Sequence, residues 1–246
     1  MNNKLLHNKQ FLNFIGSDWG GLYVDLKLIE QDSTVISAGL GSDVSFDLAL
    51  MELKNCTVIG IDPTQTARDT VFETADGNPL FAKNFRYVQR ALLDVSDREI
   101  TLGGPAVTFI SPHGEHARTV CLNDVYDKID REKVSFLKLD IEAAEYPVIQ
   151  SFTPLPSMAQ IGISFHHWLN GPTDQYPNPG ATCPYTLDDT VACIEKIKSF
   201  GYKLVHIDNA DPLRYFQEVL FIRSDLAEKY KDLTFEYEGN NIKKNK

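Results

Sequence analysis

A glycine turn between two short apolar runs constrains the fold of this chain more than any other feature. The first run, residues 34–38, stops at Gly39 and Gly41, and the second run, residues 57–61, stops before Pro63. Glycine lets a backbone turn sharply and proline cannot donate to a β-ladder, so both runs are predicted to be strands that end there. A helical segment lies between them. The order strand, turn, helix, strand predicts an α/β sheet.

The helix between the two strands is predicted from capping residues and apolar periodicity. Ser42 and Asp43 can accept hydrogen bonds from the free N–H groups of its first turn. Four apolar residues follow at the spacing i, i+3, i+4 and i+7, which places them on one helical face. These residues are Phe46, Ala49, Leu50 and Leu53.

The rest of the chain repeats this alternation of short β-rich runs and longer helical runs. Further strands are predicted at residues 86–89, 134–140, 161–165, 202–208 and 218–222. Residues 99–110 contain a Gly-Gly-Pro turn and are predicted to be a hairpin-like insertion. Thr186 and Asp189 have the spacing of a capping box, at the start of a helix that Gly201 terminates. The last two strands are predicted to pair antiparallel.

One domain accounts for the 246 residues better than two. At about 150 residues per domain, length alone leaves the number open. Seven of the twelve prolines lie between residues 147 and 184, and this stretch has no apolar periodicity of its own. We therefore predict a single domain over residues 1–246. Its parts are an N-terminal extension (1–33), a core (34–222) that includes a Pro-rich lid (153–185), and a C-terminal tail (223–246).

Charge and cysteine usage exclude several classes of protein. The chain has 34 Asp and Glu against 24 Lys and Arg, and this net charge of −10 disfavours binding to a nucleic-acid backbone. The four cysteines form no C-x-x-C pair and are predicted to be free thiols, as in a cytoplasmic protein. The first ten residues lack the apolar region of a signal peptide. The longest uncharged stretch, residues 151–173, is too rich in proline and polar groups for a membrane span.

The glycine turn stands where α/β proteins bind nucleotides, between a buried strand and a helix. Asp62 follows Gly41 by 21 residues, at the end of the next strand, where an acid can accept hydrogen bonds from ribose hydroxyls. A dinucleotide site requires a third glycine, but Val44 stands there, and Asp43 would repel a diphosphate. S-adenosylmethionine carries no phosphate and has cationic groups, so it suits this loop better. A turn without a ligand is the other interpretation.

Three blocks of the sequence resemble the FkbM-type and related class I S-adenosylmethionine-dependent methyltransferases. They are residues 35–47 (VISAGLGSDVSFD), 58–63 (VIGIDP) and 136–146 (FLKLDIEAAEY). The third block is similar to the family pattern K-x-D-I-E-G-A-E, and residues 19–21 resemble a segment that precedes the loop in these proteins. Two positions depart from the family. Ser37 stands where many of these enzymes carry an acid, and Ala143 replaces a glycine.

This resemblance implies a Rossmann-like fold with a seven-stranded, mostly parallel sheet and an antiparallel last strand. It also implies methyl transfer to a hydroxyl oxygen, commonly of a sugar, a polysaccharide or a natural product. The loop would contact the methionine part of the cofactor, Asp62 the ribose, Ala91 and Leu92 the adenine, and Asp140 would lie beside the methionine end. The cofactor-binding residues predicted in this way are Ser37, Ala38, Gly39, Gly41, Asp43, Asp62, Pro63, Ala91, Leu92 and Asp140.

The predicted catalytic residues follow two strands at the edge where open α/β sheets bind ligands. Asp140 and Glu142 follow one strand, and His166 and His167 follow the next. Methyl transfer to a hydroxyl is aided by a base or a metal at the oxygen, and histidine is the commonest such base. Only one of two adjacent histidines can point into the site. Glu145 is interpreted as an acid that stabilises a helix N-terminus.

Other side chains match weaker patterns. His113-x-x-His116 has a metal-pair spacing without a helix to align it, so a divalent metal stays open. Aromatic side chains of the predicted lid suit stacking on a sugar or on the cofactor, with ordinary packing as the alternative. These are Phe165, Trp168, Tyr176 and Tyr185. Asp174, Asp188 and Asp189 could bind hydroxyls or a cation, although capping explains Asp189 more simply.

The sequence therefore predicts an S-adenosylmethionine-dependent O-methyltransferase that acts on a glycan or small-molecule hydroxyl, with no nucleic-acid partner. A non-catalytic binding or assembly module with the same fold is the first alternative, because Ser37 and Ala143 depart from the family. An NAD-dependent oxidoreductase is the second alternative, and Val44 disfavours it. The sequence is compatible with a homo-oligomer.

Overall fold

The computed structural model describes residues 11–103, 109–110, 114–166, 185–208, 217–238 and 241–244. In this part of the chain seven strands, numbered in chain order, form the central sheet. In spatial order they are β12 (Tyr202–Asp208), β13 (Gln217–Arg223), β11 (Gln160–Phe165), β10 (Val134–Leu139), β3 (Thr34–Ala38), β4 (Thr57–Ile61) and β5 (Phe85–Val88). β13 runs antiparallel to both neighbours, and the other pairs are parallel. This confirms the predicted Rossmann-like α/β fold with a mostly parallel sheet.

Helices pack on both faces of the sheet. They are α1 (Ser45–Lys54), α2 (Gln65–Gly77), α3 (Pro79–Asn84), α4 (Leu122–Tyr126), α5 (Glu145–Ser151) and α6 (Leu187–Ser199). Successive residues of a strand point to opposite faces. Leu137 and Leu139 of β10 pack in a hydrophobic cluster with residues of α4, α5 and α6, whereas Phe136 packs in a second cluster with residues of α1, α2 and α3. Burial on both faces explains why these strands read as continuous apolar runs.

The buried face of α1 differs from the predicted one. Leu53 is 51% exposed, while Asp47 and Met51 are buried beside Phe46 and Leu50. The buried stripe is centred between these four residues, and Leu53 lies roughly a quarter of a helical turn from that centre. Asp43 accepts the N–H of Ser45, the first residue of α1, at 2.8 Å, as predicted for a residue that caps this helix, although Val44 lies between Asp43 and the helix. The helix therefore lies where the sequence predicts it, but its buried face is rotated about the helix axis relative to the predicted face.

The start of α6 and the insertion after β5 follow the prediction. Thr186 and Asp189 form a reciprocal capping box, and Gly201 adopts a φ of +84° after the helix. A small sheet has the strand order β6, β9, β7, β8, and β7 and β8 pair antiparallel, as predicted for residues 99–110. Its strands are β6 (Ala91–Leu92), β7 (Glu99–Gly103), β8 (Phe109–Ile110) and β9 (Glu115–Val120).

The stretch 153–185 includes a strand of the central sheet, after residues 153–159, which form neither helix nor strand. It contains β11, which pairs with β10 and β13 in the middle of the sheet, so the predicted lid boundary at residue 153 is corrected. Residues 167–184 lie outside the described residues.

The two terminal segments pack against the core. Two-stranded ribbons are formed by β1 (Asn13–Ile15) with β2 (Leu22–Val24), and by β14 (Phe235–Glu238) with β15 (Asn241–Lys244). The Tyr230 hydroxyl donates to buried Asp25 at 3.1 Å, so the described parts of the N-terminal and C-terminal segments are in contact. None of the described helices has both the length and the apolar composition to cross a membrane.

Candidate functional site

The glycine turn lies at the carboxyl end of β3, pressed against the end of β10. Gly39 adopts a φ of +83°, and its N–H donates to the Ile61 carbonyl at 2.9 Å. A Cβ atom at Gly39 would lie 1.6 Å from the Asp140 carbonyl oxygen, so no other residue fits. Gly41 also has a positive φ, of +52°, but a Cβ there would meet nothing within 4 Å. The loop is therefore closed against the strands at Gly39 and open at Gly41.

Asp62 holds the loop from the end of β4. One carboxylate oxygen accepts the Leu40 N–H at 2.9 Å and the Gly41 N–H at 3.0 Å. The other oxygen accepts the Thr64 N–H at 2.8 Å and the Thr64 hydroxyl at 2.7 Å. The side chain is buried, and Pro63 beside it is half-buried. The sequence predicted the juxtaposition of Asp62 with the loop, but not that its carboxylate shapes the loop.

Asp43 ties the N-terminal segment to the start of α1. Its carboxylate accepts hydrogen bonds from the Ser17 hydroxyl and, at 2.8 Å, from the Ser45 N–H. Burial alone would raise the pKa of Asp43, but these hydrogen bonds outweigh it and lower the pKa. Gly20 fits because a Cβ there would lie 2.7 Å from the Asp43 carboxyl carbon. Asp43 is therefore an ionised group beside the loop.

The other predicted cofactor residues lie along the same edge. Ser37 and Ala38 are fully buried in β3, directly before Gly39. Ala91 and Leu92 are buried in β6. The Asp62 N–H donates to the carbonyl of Val88, the last residue of β5, at 3.2 Å, and Ala91 follows three residues later. The structure thus gathers these predicted residues around the ends of β3, β4 and β5.

A cluster of carboxylates surrounds His166, which follows β11. Its Nδ1 atom contacts Glu145 Oε1 through a hydrogen bond, and its Nε2 atom lies 3.3 Å from Glu142 Oε2 and 3.6 Å from Asp140 Oδ1. β10 ends at Leu139, one residue before the predicted end of this strand, so Asp140 and Glu142 both lie in the turn that follows it. They converge because the chain turns sharply after β10.

Two successive residues of that turn adopt left-handed backbone conformations. Glu142 has a φ of +51° and Ala143 a φ of +74°. Side chains with a Cβ are strained there, and such strain concentrates at functional sites. The turn brings Glu142 back over His166 and leaves 28% of its side chain exposed.

The surrounding groups set the charge of each member of the cluster. Burial alone would lower the pKa of His166, but Glu142, Glu145 and Asp140 outweigh it and raise the pKa to about 10. Burial raises the pKa of Glu142 to about 7 and also raises that of Glu145. His166 is therefore an imidazolium ion at neutral pH. The sequence had predicted a neutral base at this position.

His167, His113, Trp168, Tyr176 and Asp174 lie outside the described residues.

Phe165 is fully buried in β11, which corrects its placement in the lid. Tyr185 stacks on Tyr146 with ring centroids 4.1 Å apart, and Asp188 lies in the first turn of α6. His116 is exposed on β9. Across the described residues, no group of three or more His, Cys, Asp or Glu has an arrangement that could hold a metal ion.

Four residues of the site were not predicted from the sequence: Ser17, Asp47, Lys138 and Glu145. Lys138 could have been found from the sequence, because it lies inside an apolar strand. A lysine in such a strand is almost never buried unless an opposite charge pairs with it. Glu145 was assigned to a helix N-terminus, where the structure does place it, but its carboxylate binds His166. Ser17 lies 26 residues from its partner Asp43, and nothing local indicates the contact.

Comparison with known proteins gives distant structural likenesses. No protein-family model matches the chain, and no curated protein matches it. A fibrillarin pre-rRNA processing protein from Methanococcus jannaschii is 14% identical, with 80% of this chain and 68% of that one covered and a TM-score of 0.46.

Two further similar structures are named as methyl-transferring enzymes. Precorrin-6y C5,15-methyltransferase from Geobacter metallireducens GS-15 is 9% identical, with 80% of this chain and 84% of that one covered and a TM-score of 0.46. An rRNA methylase from Streptococcus thermophilus is 12% identical, with 80% of this chain and 90% of that one covered and a TM-score of 0.45. Because all three TM-scores are below 0.5, these likenesses support no functional argument. A functional proposal therefore depends on the chemistry of the site.

Proposed function

We propose that this chain is an S-adenosylmethionine-dependent O-methyltransferase that acts on a sugar or other glycan hydroxyl. One observation carries the proposal. A glycine loop fixed by Asp62 opens beside Asp140 at the carboxyl ends of the central parallel strands. Open α/β sheets bind their ligands at this edge.

The charges beside the loop favour a cationic cofactor. Asp43 lies at the N-terminus of α1, and its hydrogen bonds keep it ionised. A carboxylate at that position repels the diphosphate of a dinucleotide, which would otherwise bind the helix N-terminus. Val44 is buried where a dinucleotide site needs glycine. The sulfonium and ammonium groups of S-adenosylmethionine are attracted to the same acids.

The residues present suit this cofactor. The backbone of residues 37–41 and Asp140 would hold the methionine part. Pro63 would face the ribose, and Ala91 and Leu92 the adenine. Asp62 would hold the loop and would not bind the ribose hydroxyls as predicted, because its two oxygens already accept four hydrogen bonds. Glycine at position 39 keeps the loop backbone next to β10, where a side chain would collide. S-adenosylmethionine supplies an electrophilic methyl group when it is bound.

Glu142 is the residue that we assign as the base. A hydroxyl oxygen of the acceptor forms a bond to the methyl carbon, the carbon–sulfur bond breaks with its electron pair on sulfur, and the hydroxyl proton passes to the Glu142 carboxylate. A base works best with a pKa near the working pH, and burial raises the pKa of Glu142 to about 7. His166 as an imidazolium ion supports the carboxylate and holds it in place. His167 stays a candidate base.

The partly exposed acids also favour a hydroxyl acceptor. Asp140 exposes 36% of its side chain and Glu142 28%, and carboxylate oxygens accept hydrogen bonds from sugar hydroxyls. The same acids would repel the phosphates of a nucleic acid. Most of the remaining rate acceleration would come from holding oxygen, carbon and sulfur in line.

Calorimetric titration with S-adenosylmethionine and S-adenosylhomocysteine tests the proposal. Binding of both, followed by release of S-adenosylhomocysteine with one member of a panel of sugars and glycans, is the expected result. The absence of binding at millimolar concentrations refutes it. Binding of NAD in their place supports an oxidoreductase, and cofactor binding without turnover on any acceptor supports a non-catalytic module.

A further inference from the structure

A tryptophan side chain is exposed on the turn between β1 and β2. Trp19 is 81% exposed, the highest value for a large apolar side chain among the described residues. Isolated exposed apolar residues are ordinary on protein surfaces, so exposure alone assigns no role. Trp19 is unusual in two other respects, which are the place of its turn at the edge of the sheet and the hydrogen bonds that fix this turn.

Hydrogen bonds hold the turn against the start of α1. The Ser17 hydroxyl accepts the Trp19 N–H at 3.1 Å and the Gly20 N–H at 2.9 Å. The same hydroxyl donates to the Asp43 carboxylate. The Ser17 N–H donates to the Ser45 hydroxyl at 2.8 Å. The backbone that carries Trp19 is therefore tied to Asp43, the acid beside the glycine loop.

The course of β2 shows which end of β11 this turn lies near. Asp25, directly after β2, exchanges hydrogen bonds of 2.8 and 3.0 Å with the side chain of Gln160, the first residue of β11. Leu22, the first residue of β2, packs beside Gly162, where a Cβ would lie 2.4 Å from the leucine side chain. The chain before β2 therefore leads towards the carboxyl end of β11, which His166 follows. The turn lies between that end and the start of α1.

This place suits the acceptor of the proposed reaction. The acceptor hydroxyl must reach the methyl group at the methionine end of the cofactor, which the proposed function places beside the loop and Asp140. A sugar ring has an apolar face of C–H groups and a rim of hydroxyls. An indole ring offers a large, flat apolar surface, and carboxylates accept hydrogen bonds from hydroxyls. Trp19 and the acids of the site supply both kinds of contact at one edge of the sheet.

We propose that Trp19 binds the acceptor, with its indole ring stacked on the apolar face of a pyranose while Asp140 and Glu142 accept hydrogen bonds from the sugar hydroxyls. The inference rests on the proposed function and assigns the residue that selects a ring sugar. Because the turn is already fixed, little backbone freedom is lost when the sugar binds. An acyclic polyol has hydroxyls but no flat apolar face, so it would gain nothing from Trp19.

Steady-state kinetics with S-adenosylmethionine test the contact. The acceptors are methyl β-D-glucopyranoside, methyl β-D-galactopyranoside and methyl α-D-mannopyranoside. For the glycoside that reacts fastest, Trp19→Ala should raise KM about threefold to tenfold. Both kcat and the dissociation constant of S-adenosylmethionine should stay within about twofold, because only acceptor binding is lost. Trp19→Phe keeps a smaller ring and should give an intermediate KM.

A matched variant and a spectroscopic signal separate stacking from a general surface effect. Phe72→Ala removes another exposed aromatic ring, 59% exposed on α2, and should leave KM unchanged. The chain has two tryptophans, Trp19 and Trp168, so Trp168→Phe leaves Trp19 as the only indole. In that variant, saturated with S-adenosylhomocysteine, the glycosides should shift the emission to shorter wavelength because they displace water from the ring. Sorbitol, an acyclic polyol, should not shift it.

The outcomes that contradict the inference differ from those that contradict the proposed function. An active Trp19→Ala variant with the wild-type KM refutes the inference, as does a Trp19 emission that none of the glycosides changes. If Trp19→Ala does not fold, the KM of Trp19→Phe decides in the same way. A wild-type chain that binds neither S-adenosylmethionine nor S-adenosylhomocysteine refutes the proposed function itself, and the inference with it.

Discussion

Replacement of Ala143 by glycine tests whether the turn after β10 stores backbone strain. At a φ of +74°, the Cβ of Ala143 costs about 1–2 kcal/mol relative to glycine. Two losses oppose this gain. Glycine adds about 0.4–1 kcal/mol of unfolded-state entropy, and removal of a partly buried methyl group costs less than the ~0.8 kcal/mol of a fully buried one. The net effect of Ala143→Gly should lie between about 0.8 kcal/mol destabilising and about 1.6 kcal/mol stabilising.

A matched substitution isolates the strain. Ala49→Gly in α1 also removes a partly buried methyl group and adds the same unfolded-state entropy, but it relieves no positive φ. The difference between the two variants in free energy of unfolding should therefore be about 1–2 kcal/mol, or roughly 2–8 °C in Tm for a chain of this size. Urea unfolding and thermal melts of both variants measure it. Equal destabilisation by the two substitutions would refute the assignment of strain to this turn.

Three further predictions concern the charged groups of the site. Asp62→Asn weakens the bonds to two loop amides, so S-adenosylmethionine affinity should fall on the order of tenfold to a hundredfold and exchange of those amides should accelerate, as measured by calorimetry and hydrogen exchange. Because Glu142 must be deprotonated to act as a base, kcat should fall as the pH drops through about 7, and Glu142→Gln should remove this dependence and lower kcat by about 10²–10⁴. The raised pKa of His166 stabilises the fold below pH 6.5, and this stabilisation is lost as the pH rises towards about 10. Urea unfolding at several pH values should show that loss in the wild type and a smaller one in Glu145→Gln combined with His166→Asn.

Features that depend on neighbouring residues could be read from the sequence. The strands at 34–38 and 57–61 were predicted to the residue, because buried parallel strands are continuous apolar runs that end at turn residues. The capping box at Thr186 was predicted for the same reason, since both of its hydrogen bonds span three residues. Gly39 was singled out as a turn, although the atom that excludes a side chain there belongs to Asp140.

The tertiary structure decided which side chains meet and which charges they carry. His166 lies 21 residues from Glu145, and Lys138 lies 99 residues from the carbonyl that it holds. Contacts of this kind depend on how the helices pack on the sheet. Local sequence patterns do not predict this packing. The same packing exposed Leu53 and buried Phe165. Most of all, it surrounded His166 with three carboxylates, and because their combined charge outweighs the cost of burial, the predicted base becomes a cation.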